Sequence, residues 1–221
     1  MKNTIRLITL SSTLSASILL STTAFAVDGL SANIGATNNY LWRGVTQTQN
    51  NSAISGGIDY ESKSGFYVGT WASNASWADS MTYELDFYGG FSGDISNGLG
   101  YDLGYIYYNY DNAANSDFSE VYAHLTYGVF TFGYNTLVDS DAGGSFADDT
   151  YITADAEFEV ADGLALTVHA GNYTFNAGGD YTEYGVSLSK SGFTFGLSDT
   201  DIDGADGDVN VSVSYAVDFD L

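Results

Sequence analysis

Acidic side chains recur at every second position in several parts of this chain. Side chains two residues apart in a β-strand point to the same face, so strands would bring these carboxylates onto one surface. The acidic positions of that predicted face are Asp59, Glu61, Glu84, Asp86, Asp102, Glu120, Asp155, Glu157, Glu159, Glu183 and Asp218. His124 and His169 fall on the same face of their predicted strands as these carboxylates. If such a face lines a watery passage, it favours cations and cationic or zwitterionic solutes; the competing interpretation is a solvated face without a transport role.

Arg43 is the one basic side chain expected among these carboxylates. Lys63 and Lys190, the other basic residues after residue 26, fall in short segments that are predicted turns. Arg43 continues the inward parity of the first predicted strand, so we expect it to be a fixed cation on the acidic face. The structural alternative is that Arg43 pairs with Glu84 or Asp86.

The sequence does not favour catalysis. His124 and His169 lack the spacing of metal ligands, and a Ser–His–acid arrangement would need Ser119 or Ser187 together with Glu120. The Gly-x-Ser-x-Gly turn that presents the nucleophile of α/β-hydrolases does not occur in the sequence. Hydrogen bonding on the polar face is the competing role of the histidines, and we predict a protein that is not an enzyme and has no cofactor.

One acidic segment resembles half of a calcium-binding loop. Asp199, Asp201, Asp203 and Gly204 match positions one, three, five and six of an EF-hand loop. The twelfth position is Asn210 rather than the bidentate glutamate, and no helices are predicted on either side. Calcium at an outer loop is therefore one hypothesis, and a solvated acidic turn is the other.

The elements that would carry these side chains are strands of about ten residues, the length of a tilted strand that crosses a bilayer. From Val209 to Leu221 every odd position is apolar and every even position is polar or small. Eleven earlier segments, beginning with Leu30–Trp42, repeat this alternation. Because only closure removes unpaired edges in lipid, we predict an all-β fold: a transmembrane antiparallel up-and-down β-barrel of about twelve strands.

The connections between the predicted strands alternate in length. Long ones follow the odd-numbered segments and short ones tend to follow the even-numbered segments, which is typical of outer-membrane barrels with external loops and periplasmic turns. A soluble sandwich or propeller predicts the alternation within strands but not this asymmetry. Aromatic residues near segment ends fit interfacial girdles, with ordinary core packing as the equal alternative; they are Tyr40, Trp42, Phe91, Tyr107, Tyr127, Tyr215 and Phe219.

The first 26 residues have the features of a cleaved signal peptide. Lys2 and Arg6 precede a short apolar stretch, and Ala24-Phe25-Ala26 fits a cleavage site. The apolar stretch is shorter than a spanning helix requires. We therefore divide the chain into a signal peptide, residues 1–26, and an outer-membrane barrel domain, residues 27–221.

The charge of the remaining chain limits its partners. All 28 acidic residues follow residue 26, against three basic ones, so the mature chain would carry a net charge of −25. This argues against nucleic acid, which requires a basic surface. The sequence contains no Cys, which excludes disulfides and thiolate metal sites. The expected partners are outer-membrane lipid and lipopolysaccharide, the barrel-assembly machinery and small solutes, in the outer membrane of a Gram-negative cell.

The segment Asn38–Thr48, with the sequence NNYLWRGVTQT, is similar to the N-Y-x-x-R-G-x-[ST]-Q-T signature of the porin-type TorF family. The resemblance extends over essentially the whole mature chain. It implies an outer-membrane porin in which Tyr40, Arg43, Gly44 and Gln47 act near the outer mouth, with a structural role in a turn as their alternative. The family name suggests a link to trimethylamine N-oxide respiration.

Together these observations predict a porin-like channel for passive diffusion of small hydrophilic solutes, with an acidic lumen. Twelve strands enclose a narrower lumen than the 16–18 strands of general porins. The alternatives are a structural or adhesive barrel without transport activity, and a secreted soluble β protein.

Overall fold

The computed structural model describes residues 27–78, 80–96, 98–203 and 208–221. The expected signal peptide lies outside the described residues. Within them every regular element is a strand, and no helix is long and apolar enough to cross a membrane. The strands are β1 (Leu30–Thr37), β2 (Leu41–Trp42), β3 (Val45–Thr46), β4 (Ala53–Glu61), β5 (Phe66–Asn74), β6 (Tyr83–Ser96), β7 (Leu99–Tyr110), β8 (Phe118–Tyr127), β9 (Phe130–Ser140), β10 (Thr150–Ala161), β11 (Leu164–Thr174), β12 (Tyr181–Lys190), β13 (Phe193–Thr200) and β14 (Asn210–Asp220).

Twelve of the described strands form one closed antiparallel barrel, while β2 and β3 pair only with each other. Closure occurs where β1 pairs with β14, from Ser31 opposite Asp220 to Thr37 opposite Ser214. The backbone of the last residue also takes part, because the Leu221 amide donates to the Leu30 carbonyl at 3.0 Å. The sheet therefore has no free edge along this seam, and the prediction of an all-β barrel of about twelve strands is confirmed.

The outer face of the barrel is apolar and the inner face is polar or small. On β14, Val211 and Val213 are about half exposed, whereas Ser212 and Ser214 on the other face are less exposed. The same alternation holds on the other barrel strands, where large side chains such as Ile34, Phe87 and Phe132 lie on the outside. An apolar band around a whole molecule matches the lipid-facing surface of a membrane barrel.

The two ends of the barrel differ in the length of their connections. One end, here called the long-loop end, carries residues 38–52, 75–82, 111–117, 141–149, 175–180 and 201–209. The other end, the short-turn end, carries residues 62–65, 97–98, 128–129, 162–163 and 191–192, together with the two ends of the barrel chain. The alternation of connection lengths predicted from the sequence is therefore present in the structure.

The first strand is shorter than expected. The sequence pattern predicts a strand from Leu30 to Trp42, but β1 ends at Thr37 and the chain then turns into the barrel. Tyr40 and Trp42 consequently contact lumen residues, so their assignment to an interfacial girdle was wrong. The pattern misled because a hairpin that folds inward shows the same alternation of side chains as a strand that continues.

Glycines on the inner wall make room for tyrosine rings. A Cβ atom on Gly104 would meet the ring of Tyr122, and one on Gly69 would meet the ring of Tyr88. Each ring therefore lies over a glycine of the neighbouring strand. This packing explains why glycine is tolerated within strands, where it otherwise weakens the sheet.

Candidate functional site

The loop between β1 and β4 folds back into the barrel as a small hairpin. Strands β2 and β3 pair through Leu41 with Thr46 and Trp42 with Val45. Between them, Arg43 and Gly44 form a two-residue turn with φ angles of 49° and 78°. Positive φ at both turn positions is the property of a type I′ turn, whose twist suits a hairpin. We call residues 39–48 the inner hairpin.

Hydrogen bonds inside the inner hairpin use the polar residues of the sequence motif. The Thr46 hydroxyl donates to Asn39 Oδ1 at 2.6 Å, and the Tyr40 amide donates to Thr48 Oγ1 at 3.2 Å. The Gln47 amide donates to the Tyr40 carbonyl at 2.7 Å. Asn39, Gln47 and Thr48 are all buried. The motif therefore encodes a preformed hairpin, because its polar groups satisfy one another when they leave water.

At the tip of the hairpin, Arg43 forms a buried ion pair with Glu120 of β8. Arg43 Nη1 lies 3.0 Å from Glu120 Oε1 and Nη2 lies 2.5 Å from Oε2, the two parallel bonds of a bidentate pair. The side chains are 5% and 1% exposed. The alternative partners Glu84 and Asp86 were wrong, since Arg43 reaches the lumen from the hairpin and not from β1. The register of β8 against β9 shifts between Ser119 and Glu120.

Three aromatic rings surround the same guanidinium group. The Arg43 Cζ atom lies 4.2 Å from the ring centroid of Trp42, 4.2 Å from that of Tyr151 and 4.6 Å from that of Tyr173. These distances are within the range of cation–π attraction. We call Glu120, Trp42, Tyr151 and Tyr173 the guanidinium cage. Glu120, Tyr151 and Tyr173 belong to the barrel wall, whereas Trp42 belongs to the hairpin itself.

The hairpin also contacts the opposite parts of the wall. The Tyr40 hydroxyl donates to Glu84 Oε1 on β6 at 3.1 Å, and its ring meets the edge of Trp71 on β5. The Tyr181 hydroxyl on β12 donates to the Arg43 carbonyl at 3.0 Å. Gly44 lies so close to Glu183 that a Cβ atom would come within 2.8 Å of its Oε2. The inner hairpin therefore crosses the lumen near the long-loop end.

Glu84 and Asp86 form the acidic part of this wall. They are 1% and 5% exposed, and Glu84 Oε2 and Asp86 Oδ1 have no hydrogen-bond partner within the described ranges. Both side chains face inward two residues apart on β6, as the sequence pattern predicts. β6 carries no basic residue, and the hairpin group that contacts Glu84 is the neutral Tyr40 hydroxyl.

The histidine of β11 lies lower in the barrel and is open to water. His169 Nδ1 is 2.7 Å from Asp155 Oδ1, and Nε2 is 3.4 Å from Glu183 Oε1. The side chains of His169 and Asp155 are 26% and 25% exposed. Through its contact with the nearly buried Glu183, His169 connects the hairpin region to the more solvent-exposed part of the lumen.

The other predicted lumen residues are distributed towards the short-turn end. Asp59 is half-buried and accepts hydrogen bonds from Tyr88 and Asn33, whereas Asp102 is buried beneath the Tyr67 hydroxyl. His124 is half-buried and stacks on the ring of Tyr122. Glu157 is exposed. The structure thus divides the sequence-predicted set into residues at the hairpin and residues below it.

The acidic segment at Asp199 does not gather ligands in the described part of the chain. Asp199 Oδ1 accepts from the Thr200 amide at 2.9 Å, and Asp201 Oδ1 accepts from the Thr182 amide at 2.7 Å. Among the described residues no three carboxylate or imidazole groups come together as metal ligands. Asp203 is exposed, and residues 204–207 lie outside the described ranges. Calcium binding stays a prediction.

The conceivable Ser–His–acid arrangement does not form around Glu120. Both oxygens of the Glu120 carboxylate accept hydrogen bonds from Arg43. That carboxylate therefore orients a guanidinium group and not an imidazole.

Sequence reasoning missed the aromatic half of the cage. Tyr151 of β10 and Tyr173 of β11 are directly paired on adjacent strands, and the alternation of each strand places both on the inner face. Two paired tyrosines that face the lumen at the long-loop end could have indicated an aromatic binding surface there. Their common partner could not be found from the sequence, because it comes from a loop more than 100 residues earlier.

A closed twelve-stranded barrel with an apolar outside and a polar inside is the architecture of the transmembrane β-barrels of outer membranes. Two solved structures are similar in fold. One is the KdgM porin, with a TM-score of 0.57, 8% identity, and coverage of 86% of this chain and 99% of that chain. The other is the KdgM porin in complex with disordered oligogalacturonate, with a TM-score of 0.52, 8% identity, and coverage of 86% and 95%.

The sequence itself matches one family model over residues 22–218, described as a bacterial protein of unknown function, Gcw_chp. The chain belongs to this family. No curated protein matches the sequence significantly. The structural similarity agrees with the barrel fold expected from the sequence, and neither comparison carries the TorF name.

Proposed function

We propose that the protein is an outer-membrane channel for passive diffusion of small hydrophilic solutes, with a preference for cations or cationic and zwitterionic solutes. The observation that carries the proposal is the carboxylate-lined lumen. Among the described residues of the lumen, Glu120 pairs with Arg43 at 2.5 Å, and Asp155 and Glu183 contact His169. Carboxylates still outnumber these two basic groups on the inner face, and an excess of carboxylates attracts cations.

The inner hairpin sets the constriction of this channel. Side chains at its level are almost inaccessible to water, with Glu84 and Glu120 both 1% exposed. Below the hairpin, Asp155 and Glu157 are accessible. We therefore expect a small conductance, which grows when the hairpin is released.

The proposed location is the outer membrane of a Gram-negative cell, reached through a signal peptide. The apolar outer face would contact outer-membrane lipid, the long-loop end would face lipopolysaccharide, and the barrel-assembly machinery would insert the chain. The resemblance to the TorF family belongs to the same proposal. The oligogalacturonate of the KdgM structure is an acidic sugar chain, which this acidic lumen would repel.

The test is the reversal potential of the refolded protein in a planar bilayer across a tenfold KCl gradient. We expect potassium to be more permeant than chloride. Asp155→Asn and Glu157→Gln should lower the ratio, whereas Asp28→Asn, which removes an exposed carboxylate at the short-turn end, should not. A preference for chloride would contradict the proposal.

The second candidate is a structural or adhesive barrel without transport. The observation that favours it is the hairpin itself, which crosses the lumen with a buried ion pair. The discriminating variant replaces residues 40–47 by a flexible Gly/Ser linker. If neither the wild type nor this variant conducts, the second candidate is supported and the channel is refuted.

A further inference from the structure

The guanidinium cage is a complete recognition site that the chain fills with its own side chain. Glu120 presents two oxygens to two nitrogens of one planar group, and three rings lie within 4.6 Å of its central carbon. A bidentate carboxylate matches the fork of a guanidinium group and not the point charge of an ammonium group. The stacked rings further favour a flat, weakly hydrated cation.

Most of this site would persist without the hairpin. Glu120, Tyr151 and Tyr173 are held by β8, β10 and β11, three strands of the continuous sheet. Glu183 adds a second carboxylate nearby, since it accepts a hydrogen bond from Tyr151. Only Trp42 would leave with the hairpin. An empty cage would therefore be an anionic, aromatic pocket in the wall of the lumen.

The hairpin is attached to the wall by side chains rather than by a ladder. In the described residues β2 and β3 pair with each other and with no barrel strand. Its anchors on the barrel strands include the Arg43–Glu120 pair, the Tyr40–Glu84 hydrogen bond, and the hydrogen bond from Tyr181 to the Arg43 carbonyl. At its base, the Ser76 amide of the loop 75–82 also donates to the Gln47 carbonyl at 2.8 Å. The tip holds Arg43 at a φ of 49°, which a residue with a side chain adopts at some cost. Loss of the central anchor would weaken the others.

We propose that the cage is a binding site for solutes that carry a guanidinium group, and that such a solute competes with Arg43 and releases the inner hairpin. Arg43 is then a tethered copy of the ligand. Because it is tethered, it acts at an effective concentration of at least about millimolar, the value for a short flexible linker, which a free solute must match. Binding in the cage stands independently of transport, whereas opening by release rests on the proposed channel function.

Binding is tested first, in detergent, without any current. Arg43→Gly empties the cage and suits the positive φ of the position. The probe is methylguanidinium, and methylammonium of equal charge is the control ion. We expect methylguanidinium to raise the unfolding temperature of Arg43→Gly saturably, as a ligand of the folded state does, at concentrations about tenfold below those that methylammonium needs. Equal shifts with both ions, or no shift, would overturn the proposal.

A second variant keeps the test informative if the emptied cage impairs folding. In Arg43→Gly/Glu120→Gln the unpaired carboxylate is gone, so this variant should refold without the probe and should not respond to it. If Arg43→Gly refolds poorly, its refolding yield should rise with methylguanidinium and not with methylammonium. A yield that stays low in both ions would count against the site.

Release is tested by the current carried by potassium. Millimolar methylguanidinium should increase the wild-type conductance, and methylammonium should not. Lys63→Ala, which removes an exposed cation at the short-turn end, should behave as the wild type. If methylguanidinium binds in detergent but does not change the current, release is refuted and the binding site stands. If neither the wild type nor Arg43→Gly carries current, the channel is refuted and the binding result still stands.

Discussion

The two halves of this lumen are built from the same strands but differ in how far water reaches their side chains. At the long-loop end, the inner hairpin brings Trp42 and Arg43 against the wall, and Glu84 and Glu120 are 1% exposed. Towards the short-turn end, Asp102 is still buried, but the Asp155 and His169 side chains are about one quarter exposed. The difference lies in the connections. A fifteen-residue loop, 38–52, can fold back into the barrel, whereas the two-residue turns 128–129 and 162–163 cannot.

The comparison shows that loop length decides where charge is paired. Carboxylates of both halves lie on the same face of the sheet, but only Glu120, at the hairpin, meets a guanidinium group. Asp59 is instead stabilised by Tyr88 and Asn33, and Asp155 by His169. Four predictions test this contrast.

The largest expected effect comes from breaking the ion pair at the dry end. Glu120→Gln leaves the Arg43 charge buried without a counter-ion, which typically costs about 3–5 kcal/mol. We expect that loss in the free energy of unfolding from bilayers, measured with urea. The matched change at the wet end is Asp28→Asn, which breaks an exposed pair with Lys63; it should have no measurable effect. Equal effects of the two changes would remove the contrast.

Gly44→Ala should be the next most severe change. A Cβ atom at this position would lie 2.7 Å from Thr200 Cγ2 and 2.8 Å from Glu183 Oε2, and the φ angle is 78°. We expect a loss of about 2–4 kcal/mol from crowding and backbone strain together. The control is Gly98→Ala in a short turn, with a φ of 80° and nothing within 4 Å of the added atom. It should cost about 1 kcal/mol, and a loss equal to that of Gly44→Ala would show that strain alone matters.

Tyr181→Phe should have a smaller effect at the same end. It removes the hydroxyl that donates to the buried Arg43 carbonyl. A buried acceptor left without a donor costs about 1–3 kcal/mol. Chemical unfolding of this variant should be compared with that of Tyr184→Phe, whose side chain is 56% exposed on the outer face of the same strand. If Tyr184→Phe is destabilised as much, the hydrogen bond to the hairpin does not anchor it.

The smallest effect concerns the rim of the long-loop end at low pH. Slight desolvation acts to raise the pKa of Asp111, but hydrogen bonds from the Thr82 hydroxyl, the Thr82 amide and the Tyr83 amide outweigh it and lower the pKa to about 2. A lowered folded pKa stabilises the loop above the unfolded value, and this contribution is lost as the pH falls from about 4 through 2.

Amide hydrogen exchange at Thr82 and Tyr83 measures this effect. Protection should fall between pH 4 and pH 2 after correction for the intrinsic exchange rate. The Asp111→Asn variant cannot titrate at this position and should show no such step. A step that persists in Asp111→Asn would assign the pH dependence to another group.

The barrel and its lining could be predicted from the sequence, because a period of two fixes which face each strand residue occupies. Asp155, Glu157 and His169 lie on the inner face for that reason. The partner of Arg43 could not be predicted in this way. Parity states that Arg43 and Glu120 both face inward, but it does not state that a hairpin carries Arg43 across the lumen to β8.

The sequence alone determined the closed sheet, its apolar outside, its polar inside and the unequal ends, since all of these follow from local alternation and connection length. The tertiary structure decided where the first strand ends, which carboxylate meets the guanidinium group, and that Tyr151 and Tyr173 complete its cage. These are contacts between residues 77 to 130 positions apart. Local patterns do not encode such contacts, because they depend on how far each strand is displaced along its neighbours around the barrel.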